Sequence, residues 1–467
     1  MPSDRDRPAL DGGLLSPVTV GHDETVTDAA YLDALVTVEV ALARAYREIG
    51  LAPDDAIDEI ETEFGWQGAL RGCRDHGVDG TALAAAAVAG GNPVIPLVGR
   101  LKERVGAESR LWVHRGATSQ DIVDTAAMVV ARAATSRIAA ALVHTEVSLR
   151  SLARSRRDEV AAARTLTQHA VPTTVGLRAA GWLRAVERAE ERVEDVQHRL
   201  PAQLGGAAGT LASFAEIAGS DAAAALPAAF AHELGLAAPE APWHTNRWPI
   251  TELGDALVQA IDAVGKIATD VATLSRTEIG ELAEGAGGGS SAMPQKRNPA
   301  ASVLIRSAAL RAPQLGATLH LASALAADER PDGAWHAEWP TLRELLRLAL
   351  GATAHAASLV AGLHVDTDAV ARNLAATGGL IVSERLSIVL GPVLGAARVA
   401  ELVTAAAAGG DLAGLLAASP DVAALAAERG ATAQAFVADL LDPARYTGLA
   451  GRLVDEAATR TAEEEDA

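Results

Sequence analysis

Residues 285–299, GAGGGSSAMPQKRNP, combine residue types that suit an anion-binding and proton-transfer site. The glycines permit a loop with positive φ, whose backbone N–H groups can approach a ligand closely. Two hydroxyls, Ser290 and Ser291, follow the glycines, and two cations, Lys296 and Arg297, come after them. A glycine-rich run alone is typical of a flexible linker, but the attached SSAMPQKRNP favours a site for a negatively charged ligand.

A second polar block, HRGATSQDIVDT at residues 114–125, lies where a long helix is predicted to begin. Thr118, Ser119 and Gln120 place hydrogen-bond donors beside the free N–H groups of its first turn. Such a helix start attracts carboxylates, because its unpaired N–H groups and the helix dipole favour negative charge. The alternative is an ordinary serine or threonine N-cap, which needs no ligand.

A third polar block, RTLTQHAVPTT, occupies residues 164–174. It offers Thr165, Gln168 and His169 just before another long helix, which we expect to start near Pro172. A single histidine at a helix entrance is typical of a structural hydrogen-bonding residue, and a catalytic role is the alternative.

Signatures of metals and cofactors are missing from the sequence. In WHAEW, at residues 335–339, His336 and Glu338 resemble half a zinc motif, but no second histidine or cysteine pair follows at ligand spacing. There is no GxxxxGK[ST] loop, and GAGGGS does not follow a strand as a dinucleotide fingerprint must. A GxSxG elbow is also absent, so Ser290 is not expected to be an acyl-transfer nucleophile. We therefore predict no metal and no cofactor.

The composition favours helices as the framework that positions these blocks. Hydrophobic residues make up 49% of the 467 residues and aromatic residues only 3%, with alanine and leucine dominant. A chain with few β-branched and aromatic runs favours closely packed helices over sheets. We therefore predict an all-α protein, with long helices at about residues 122–157 and 299–327.

Two further segments repeat apolar residues at alternating steps of three and four, which is typical of helices packed in a bundle. The first seam consists of Trp182, Val186, Ala189, Val193, Val196 and Leu200. The second seam consists of Leu253, Leu257, Ala260, Ile261, Val264, Ile267, Val271 and Leu274. Residues 29–104, in contrast, are broken by glycine and proline, and Pro93 and Pro96 predict a loop at residues 90–96.

Charge and cysteine content narrow the class of protein. A formal net charge of -20 argues against nucleic acid or an anionic membrane as the main partner, although a local basic pocket for a small anionic substrate stays open. Cys73 is the only cysteine, which excludes an internal disulfide and fits a reducing compartment. The first residues lack the apolar core of a secretory signal, and no uninterrupted apolar run reaches the roughly 20 residues of a membrane span. We predict a soluble, cytoplasmic protein.

The signature GSSAMPQKRNP closely resembles the pattern GSSxMPxKxNP of the fumarase/aspartase superfamily, and the other two blocks occur in the order expected for that superfamily. Several stretches look most like the bacterial 3-carboxy-cis,cis-muconate cycloisomerases, among them WVHRGATSQDIVDTA, QLGGAAGTLASF and PWHTNRW. The resemblance extends over residues 16–400. It is highly specific for the superfamily and suggestive for the cycloisomerase.

The resemblance implies an all-α, three-domain fold with a central bundle of long helices. The expected domains are an N-terminal helical domain at residues 1–110, the bundle with the signature loop at 111–350, and a C-terminal helical domain at 351–467. Superfamily members are similar in forming homotetramers, with each active site built from three subunits. This arrangement would explain why the three polar blocks are far apart in sequence.

The shared reaction, on this resemblance, removes a proton from the carbon next to a carboxylate and expels a group from the neighbouring carbon. The intermediate is an aci-carboxylate, which oriented donors and cations stabilise. Ser290 matches the general base, and we hypothesise that the glycine-loop N–H groups and Lys296 lower the pKa of its hydroxyl. The residues expected to bind substrate are Thr118, Ser119, Gln120, Thr165, Gln168, Arg247, Ser291, Met293, Lys296 and Asn298.

Two departures from the family pattern concern the substrate. Many members carry RTH in the second block, whereas this chain has Leu166 at the histidine position, so the usual acid is absent. His169 is a candidate to replace it, and a leaving group that needs no proton is the alternative. The cycloisomerase pattern after PWHT is usually Gln-Arg-Asp-Arg, but this chain has Asn-Arg-Trp-Pro at residues 246–249.

The leading interpretation is a cofactor-free cycloisomerase acting on 3-carboxy-cis,cis-muconate. The first alternative is a lyase that releases fumarate from a substituted succinate, namely nitrosuccinate, adenylosuccinate or an aspartate-like substrate. A catalytically silent structural relative is the second alternative. The absent histidine favours leaving groups that depart as stable anions.

Overall fold

The structure is a computed structural model that describes residues 12–286, 288–289, 293 and 296–459. These residues are mostly helical, as predicted. The α-helices are α1 (Asp28–Glu48), α2 (Asp54–Phe64), α3 (Gly80–Gly90), α4 (Val94–Arg104), α5 (Ser119–Ser155), α6 (Val175–His198), α7 (Ala212–Ala218), α8 (Ser220–Leu234), α9 (Trp248–Leu274), α10 (Ala300–Ala324), α11 (Gly333–Ala361), α12 (Thr367–Ala375), α13 (Ser383–Leu394), α14 (Ala396–Ala407), α15 (Leu412–Ala417), α16 (Pro420–Glu428), α17 (Ala433–Leu441) and α18 (Ala450–Thr459).

Two small antiparallel sheets accompany the helices. The strands are β1 (Val160–Thr165), β2 (Gln168–Thr174), β3 (Leu282–Ala283) and β4 (His364–Val365). β1 pairs with β2, and β3 pairs with β4. Residues 285–299, called the signature segment below, follow β3 closely, so the prediction that no strand precedes GAGGGS is wrong. β3 has only two residues and pairs antiparallel with β4, which differs from the parallel strand of a dinucleotide fingerprint.

The described residues divide into two compact units. The first contains the residues up to Val143 together with Arg188–Gly265 and Leu304–Ala356, and the second contains His144–Glu187, Lys266–Val303 and the residues from Ala357 onward. The division passes through α5, α6, α9, α10 and α11. It therefore does not test the predicted domain boundaries after residues 110 and 350, which stay predictions.

Both apolar seams lie in long helices, except that Leu200 follows the end of α6, and every one of their side chains is buried. The first seam follows α6 and the second follows α9. Each fully buried valine, leucine or isoleucine contributes about 1.5–3 kcal/mol relative to an exposed one, so the seams are a major source of stability. The second unit also contains a separate apolar cluster built on α13 to α17, with Leu386, Leu402 and Phe436 among its buried residues.

The loop predicted at residues 90–96 is wrong in its second half, because α4 begins at Val94 and includes Pro96. Pro93 precedes the helix and Pro96 lies in its first turn, where a backbone N–H has no partner within the helix and its loss costs little. The side chain of Asn92 accepts a hydrogen bond from the N–H of Val94 at 3.0 Å, which stabilises this start.

The helix predicted to start near Pro172 begins three residues later, and the hairpin that precedes it was not predicted. Residues 160–174 form this hairpin, in which Pro172 pairs with Ala162, and α6 begins only at Val175. The β-branched residues of β2 favour extended backbone, and a proline is tolerated in a two-stranded ribbon because each strand is an edge strand. The hydroxyl of Thr174 then accepts a hydrogen bond from the N–H of Leu177 at 3.0 Å and caps the helix.

By length and composition alone, one helix in the described part of the chain, α5, is able to cross a membrane. α12 and residues 380–394 pass the same test only if they are taken together as one bent span. Core helices of soluble proteins pass it too, so these helices are weak evidence for a membrane protein.

Candidate active site

The first polar block lies at the start of α5 in the first unit, and a buried carboxylate organises it. Asp121 accepts hydrogen bonds from the N–H groups of Thr118, Gly205 and Gly206 at 2.9–3.0 Å. Its Oδ1 also lies 2.8 Å from Nε2 of His244, and both side chains are buried. The carboxylate of Asp121 thus caps the N–H of the residue before the helix and ties the loop at residues 205–206 to this helix start.

Thr118 and Ser119 remain partly accessible at this helix start, as a contact with substrate requires. The Thr118 hydroxyl accepts a hydrogen bond from Nη2 of Arg330 at 2.5 Å, and the same nitrogen donates to the carbonyl of Ala207 at 2.9 Å. Arg330 is exposed. It therefore places a positive charge beside two predicted substrate-binding residues, although the sequence carried no sign of it.

His114 precedes this helix start and has an unusual backbone and an acidic partner. Its φ is 55°, in the left-handed region that non-glycine residues rarely adopt. Its Nδ1 lies 2.8 Å from Oε1 of Glu39. Burial lowers the pKa of His114, but the Glu39 carboxylate outweighs burial and the net shift is upward. The histidine is thus favoured in its protonated form.

Arg247 is buried in an ion network below the same helix start, with an exposed fraction of only 1%. Its guanidinium donates to both carboxylate oxygens of Asp124, at 2.6 and 3.0 Å, and to Glu338 at 2.6 Å. Trp335 Nε1 and Gln120 Nε2 also donate to Asp124, at 2.9 and 3.1 Å. Burial raises the pKa of Glu338, which Arg247 partly opposes. For Arg247 to bind substrate as predicted, it would have to give up an internal partner. Gln120 is also buried, but among the described residues its Oε1 has no hydrogen-bond partner.

The second polar block forms the tip of the β1–β2 hairpin in the second unit. Thr165 pairs with Gln168, so the turn consists of only Leu166 and Thr167. Their φ angles are 47° and 71°, and a two-residue turn of this kind normally uses asparagine and glycine. Leu166 is 95% exposed. Strained backbone costs on the order of 1–3 kcal/mol per residue and is commonly retained at functional sites.

Arg164 and His169 are paired positions across this hairpin. Burial lowers the pKa of His169, the nearby Arg164 cation lowers it further, and Glu281 opposes both. A histidine with a lowered pKa carries less of its proton at neutral pH, which weakens it as a general acid. These surroundings argue against the predicted acid role of His169.

A cavity of about 1070 Å³ adjoins the hairpin within the second unit. Gln168, His169 and Arg164 line one part of it, and Arg178 from α6 lines another. Behind the hairpin lies the buried carboxylate of Glu281, which accepts from Arg164 at 2.5 and 3.2 Å. The sequence-predicted Gln168 therefore faces a cavity with cationic walls.

The two ends of the signature segment are held together within the second unit. The backbones of Gly288 and Asn298 exchange two hydrogen bonds, of 2.9 and 2.8 Å. The carboxylate of Glu284 accepts from the N–H groups of Ala301 and Ser302, at 3.0 and 2.8 Å, and so caps the start of α10. These contacts fix Asn298 at the base of the segment.

The remaining predicted residues of the signature segment are partly described. Lys296 is exposed, and its N–H donates to the carbonyl of Met293 at 3.0 Å, while the Met293 side chain is 44% exposed. Both are accessible to a ligand. The predicted base Ser290 and its neighbour Ser291 lie outside the described residues.

The long-helix fold and the three polar blocks are those of a known class of enzymes. A family model described as Lyase matches residues 22–313. The chain belongs to the fumarase/aspartase superfamily of lyases, which confirms the predicted superfamily, its all-α fold and the prediction of an enzyme.

Particular relatives of the chain differ in the reaction that their names give. The chain is 48% identical to nitrosuccinate lyase of Streptomyces davaonensis, over 96% of this chain and 94% of that protein. It is 38% identical to 3-carboxy-cis,cis-muconate cycloisomerase of Bradyrhizobium diazoefficiens, over 92% of this chain and 93% of that protein. The crystal structure of 3-carboxy-cis,cis-muconate lactonizing enzyme from Pseudomonas putida superposes with a TM-score of 0.85 at 34% identity, covering 97% of this chain and 99% of that one.

Proposed function

We propose that this enzyme converts nitrosuccinate to fumarate and nitrite without a cofactor. The observation that carries the proposal is the 48% identity to a nitrosuccinate lyase over nearly the whole chain, against 38% for a cycloisomerase. This reverses the order of the two substrates favoured from the sequence alone. The residues at the hairpin tip support the same choice.

The proposed reaction starts when the deprotonated hydroxyl of Ser290, an alkoxide, removes a proton from the carbon next to one carboxylate. This restores the neutral hydroxyl, which afterwards releases the proton to water. The electron pair spreads into that carboxylate as an aci-carboxylate and then forms the carbon–carbon double bond. The bond between the neighbouring carbon and the nitro nitrogen breaks, and nitrite departs with its electron pair. Fumarate, nitrite and one proton account for all atoms and charges of the substrate.

Charge stabilisation is the main contribution expected of the other residues, because the carboxylate gains negative charge as the proton leaves. Lys296 offers an exposed cation, and Asn298 is held in place by its pairing with Gly288. Thr118 and Ser119 at the start of α5 are proposed to hold the other carboxylate, together with the Arg330 guanidinium. If the active site is assembled from several subunits, as the resemblance implies, these residues come from different copies of the chain.

The side chains of the second polar block, residues 164–174, favour nitrite as the leaving group. Nitrite is a weakly basic anion and departs without a proton, whereas ammonia and purine amines need a general acid. Leu166 has no proton to donate, and the lowered pKa of His169 leaves a smaller fraction of it protonated and able to donate. The site is thus suited to a leaving group that is already a stable anion.

Cycloisomerisation of 3-carboxy-cis,cis-muconate is a second candidate. The likeness to the Pseudomonas putida lactonizing enzyme favours it, and so does His114 at the first block, because the net upward shift of its pKa favours the protonated form. The two functions differ in their products, so one assay separates them.

The test is to incubate the full-length enzyme separately with nitrosuccinate, aspartate, adenylosuccinate and 3-carboxy-cis,cis-muconate. We expect fumarate and nitrite in equal amounts from nitrosuccinate, measured by ultraviolet absorbance and a colorimetric nitrite assay. Lactone formation from the muconate without nitrite release from nitrosuccinate would contradict the proposal. The Ser290→Ala variant is the control for spontaneous loss of nitrite.

The absence of an acid at the hairpin tip leads to a separate prediction. Leu166→His is expected to leave kcat for nitrosuccinate within about threefold of wild type, whereas a required general acid contributes about 10²–10⁴ in rate. Leu166→Asn is the matched control, because asparagine also tolerates a positive φ but has no ionisable group. A rise in kcat of a hundredfold or more for the histidine variant alone would show that departure of nitrite needs a proton.

A further inference from the structure

The cavity beside the hairpin contains more positive charge than its carboxylates neutralise. Its walls carry four cationic side chains, Arg164, Arg178, Lys266 and Arg276. The acidic groups that face them are Asp270 and Glu278 in the wall and Glu281 behind it. One positive charge is therefore left over in a partly buried space.

The carboxylates are not shared equally among these cations. Nζ of Lys266 donates to both carboxylate oxygens of Asp270, at 2.5 and 2.6 Å. Arg164 uses two nitrogens on Glu281, at 2.5 and 3.2 Å. Arg178 is held only loosely, since its nearest carboxylate oxygen, on Glu281, is 3.6 Å away and its bond to the Ala162 carbonyl measures 3.5 Å.

Within the described part of the chain, the carboxylate that Arg178 pairs with, on Glu281, is thus distant and shared with Arg164. The side chain of Arg178 is only 17% exposed, so water screens its charge poorly. Burial lowers the pKa of Arg178 and Arg164 adds to this effect, while Glu281 opposes it, which is the pattern of a cation that a further anion would stabilise. Its guanidinium offers paired donors that match a carboxylate.

We propose that Arg178 binds a carboxylate of the dicarboxylate substrate in this cavity, beside Gln168. The inference rests on the proposed function, because the ligand is the succinate skeleton that nitrosuccinate and fumarate share. Glu281 is then a positioning residue: it accepts from Arg164 and from Asn373 Nδ2, the latter at 2.9 Å, and so holds the hairpin beside Arg178. Neither arginine belongs to the signature segment.

Calorimetric titration of the full-length enzyme with fumarate and with succinate tests this without turnover. For Arg178→Gln we expect Kd for both ligands to rise at least tenfold, and KM for nitrosuccinate to rise with it. The Kd values of Arg178→Lys should lie between those of wild type and of Arg178→Gln, because lysine keeps the positive charge but lacks the planar guanidinium with its paired donors. Arg184→Gln, an exposed site on the same helix, is the matched control and should bind as wild type does.

Unchanged Kd values in Arg178→Gln would overturn the proposal, and so would a wild-type enzyme that binds neither ligand. If circular dichroism shows that Arg178→Gln does not fold, Arg178→Lys is measured in its place. We then expect its Kd values to rise threefold or more, and unchanged values would contradict the proposal. Failure of the proposed function is distinguishable, since it would leave Arg178-dependent fumarate binding in an enzyme that releases no nitrite.

Discussion

Replacing Ser290 with alanine is expected to lower kcat for nitrosuccinate at least tenfold, and by about 10²–10⁴ if proton removal limits turnover. The variant retains every described contact of the signature segment, since the Gly288–Asn298 pairing and the Glu284 cap do not involve this hydroxyl. Loss of activity would therefore report on proton removal and not on a displaced segment. Initial rates of nitrite release at saturating substrate are the measurement.

Ser291→Ala is the matched control for this experiment, because it removes a neighbouring hydroxyl that is predicted to bind substrate. We expect it to raise KM more than it lowers kcat. A Ser290→Ala enzyme that kept more than about a tenth of the wild-type kcat would exclude Ser290 as the base. Exchange of the substrate's carbon-bound protons with D₂O, followed by NMR, gives a second readout that does not depend on departure of nitrite.

Replacing Arg247 with methionine is expected to lower the free energy of unfolding by about 3–5 kcal/mol, because it leaves Asp124 and Glu338 buried without their cation. Methionine fills much of the same space, so the lost charge dominates over a cavity. Urea denaturation followed by circular dichroism measures the effect. Arg247→Met combined with Asp124→Asn and Glu338→Gln is the control, and should recover a large part of the loss since no uncompensated charge remains.

The destabilisation of Arg247→Met should also depend on pH. Burial raises the pKa of Glu338 above its unfolded-state value even beside Arg247, and without the arginine this upward shift is expected to persist. Groups with a raised folded pKa stabilise the fold below the unfolded pKa, and that stability is lost as the pH rises through the folded pKa. The difference from wild type should therefore shrink as the pH falls towards the ordinary range of carboxyl groups. A difference independent of pH would mean that lost packing is the cause.

The helices were predictable where their apolar periodicity is long. The seams of α6 and α9 are buried in full, and α5 begins within three residues of the predicted position because Ser119 and the following apolar run mark it. The hairpin at residues 160–174 was not predictable in the same way, since Pro172 suits a helix start and an edge strand equally well. The same ambiguity of proline accounts for Pro96 in α4.

The three blocks of the candidate site were recognisable from motifs, but the residues that hold them were not. Asp121 and His244 are more than a hundred residues apart in sequence, as are Arg164 and Glu281, and only the folded chain brings each pair together. A buried arginine such as Arg247 has the same appearance in a sequence as one that binds substrate. Burial and partners, which distinguish the two, are properties of the fold.

Asp121 has a consequence for the design of inhibitors. Because its carboxylate is covalently attached, it competes for the N–H groups of Thr118, Gly205 and Gly206 at an effective concentration that a free ligand seldom reaches. These hydrogen bonds also hold the loop at residues 205–206 and the start of α5 in place without a substrate, so a ligand that binds to this helix start costs little conformational entropy. A compound aimed at the hydroxyls of Thr118 and Ser119 would benefit from this order, whereas one aimed at the amides would have to displace a group of the enzyme itself.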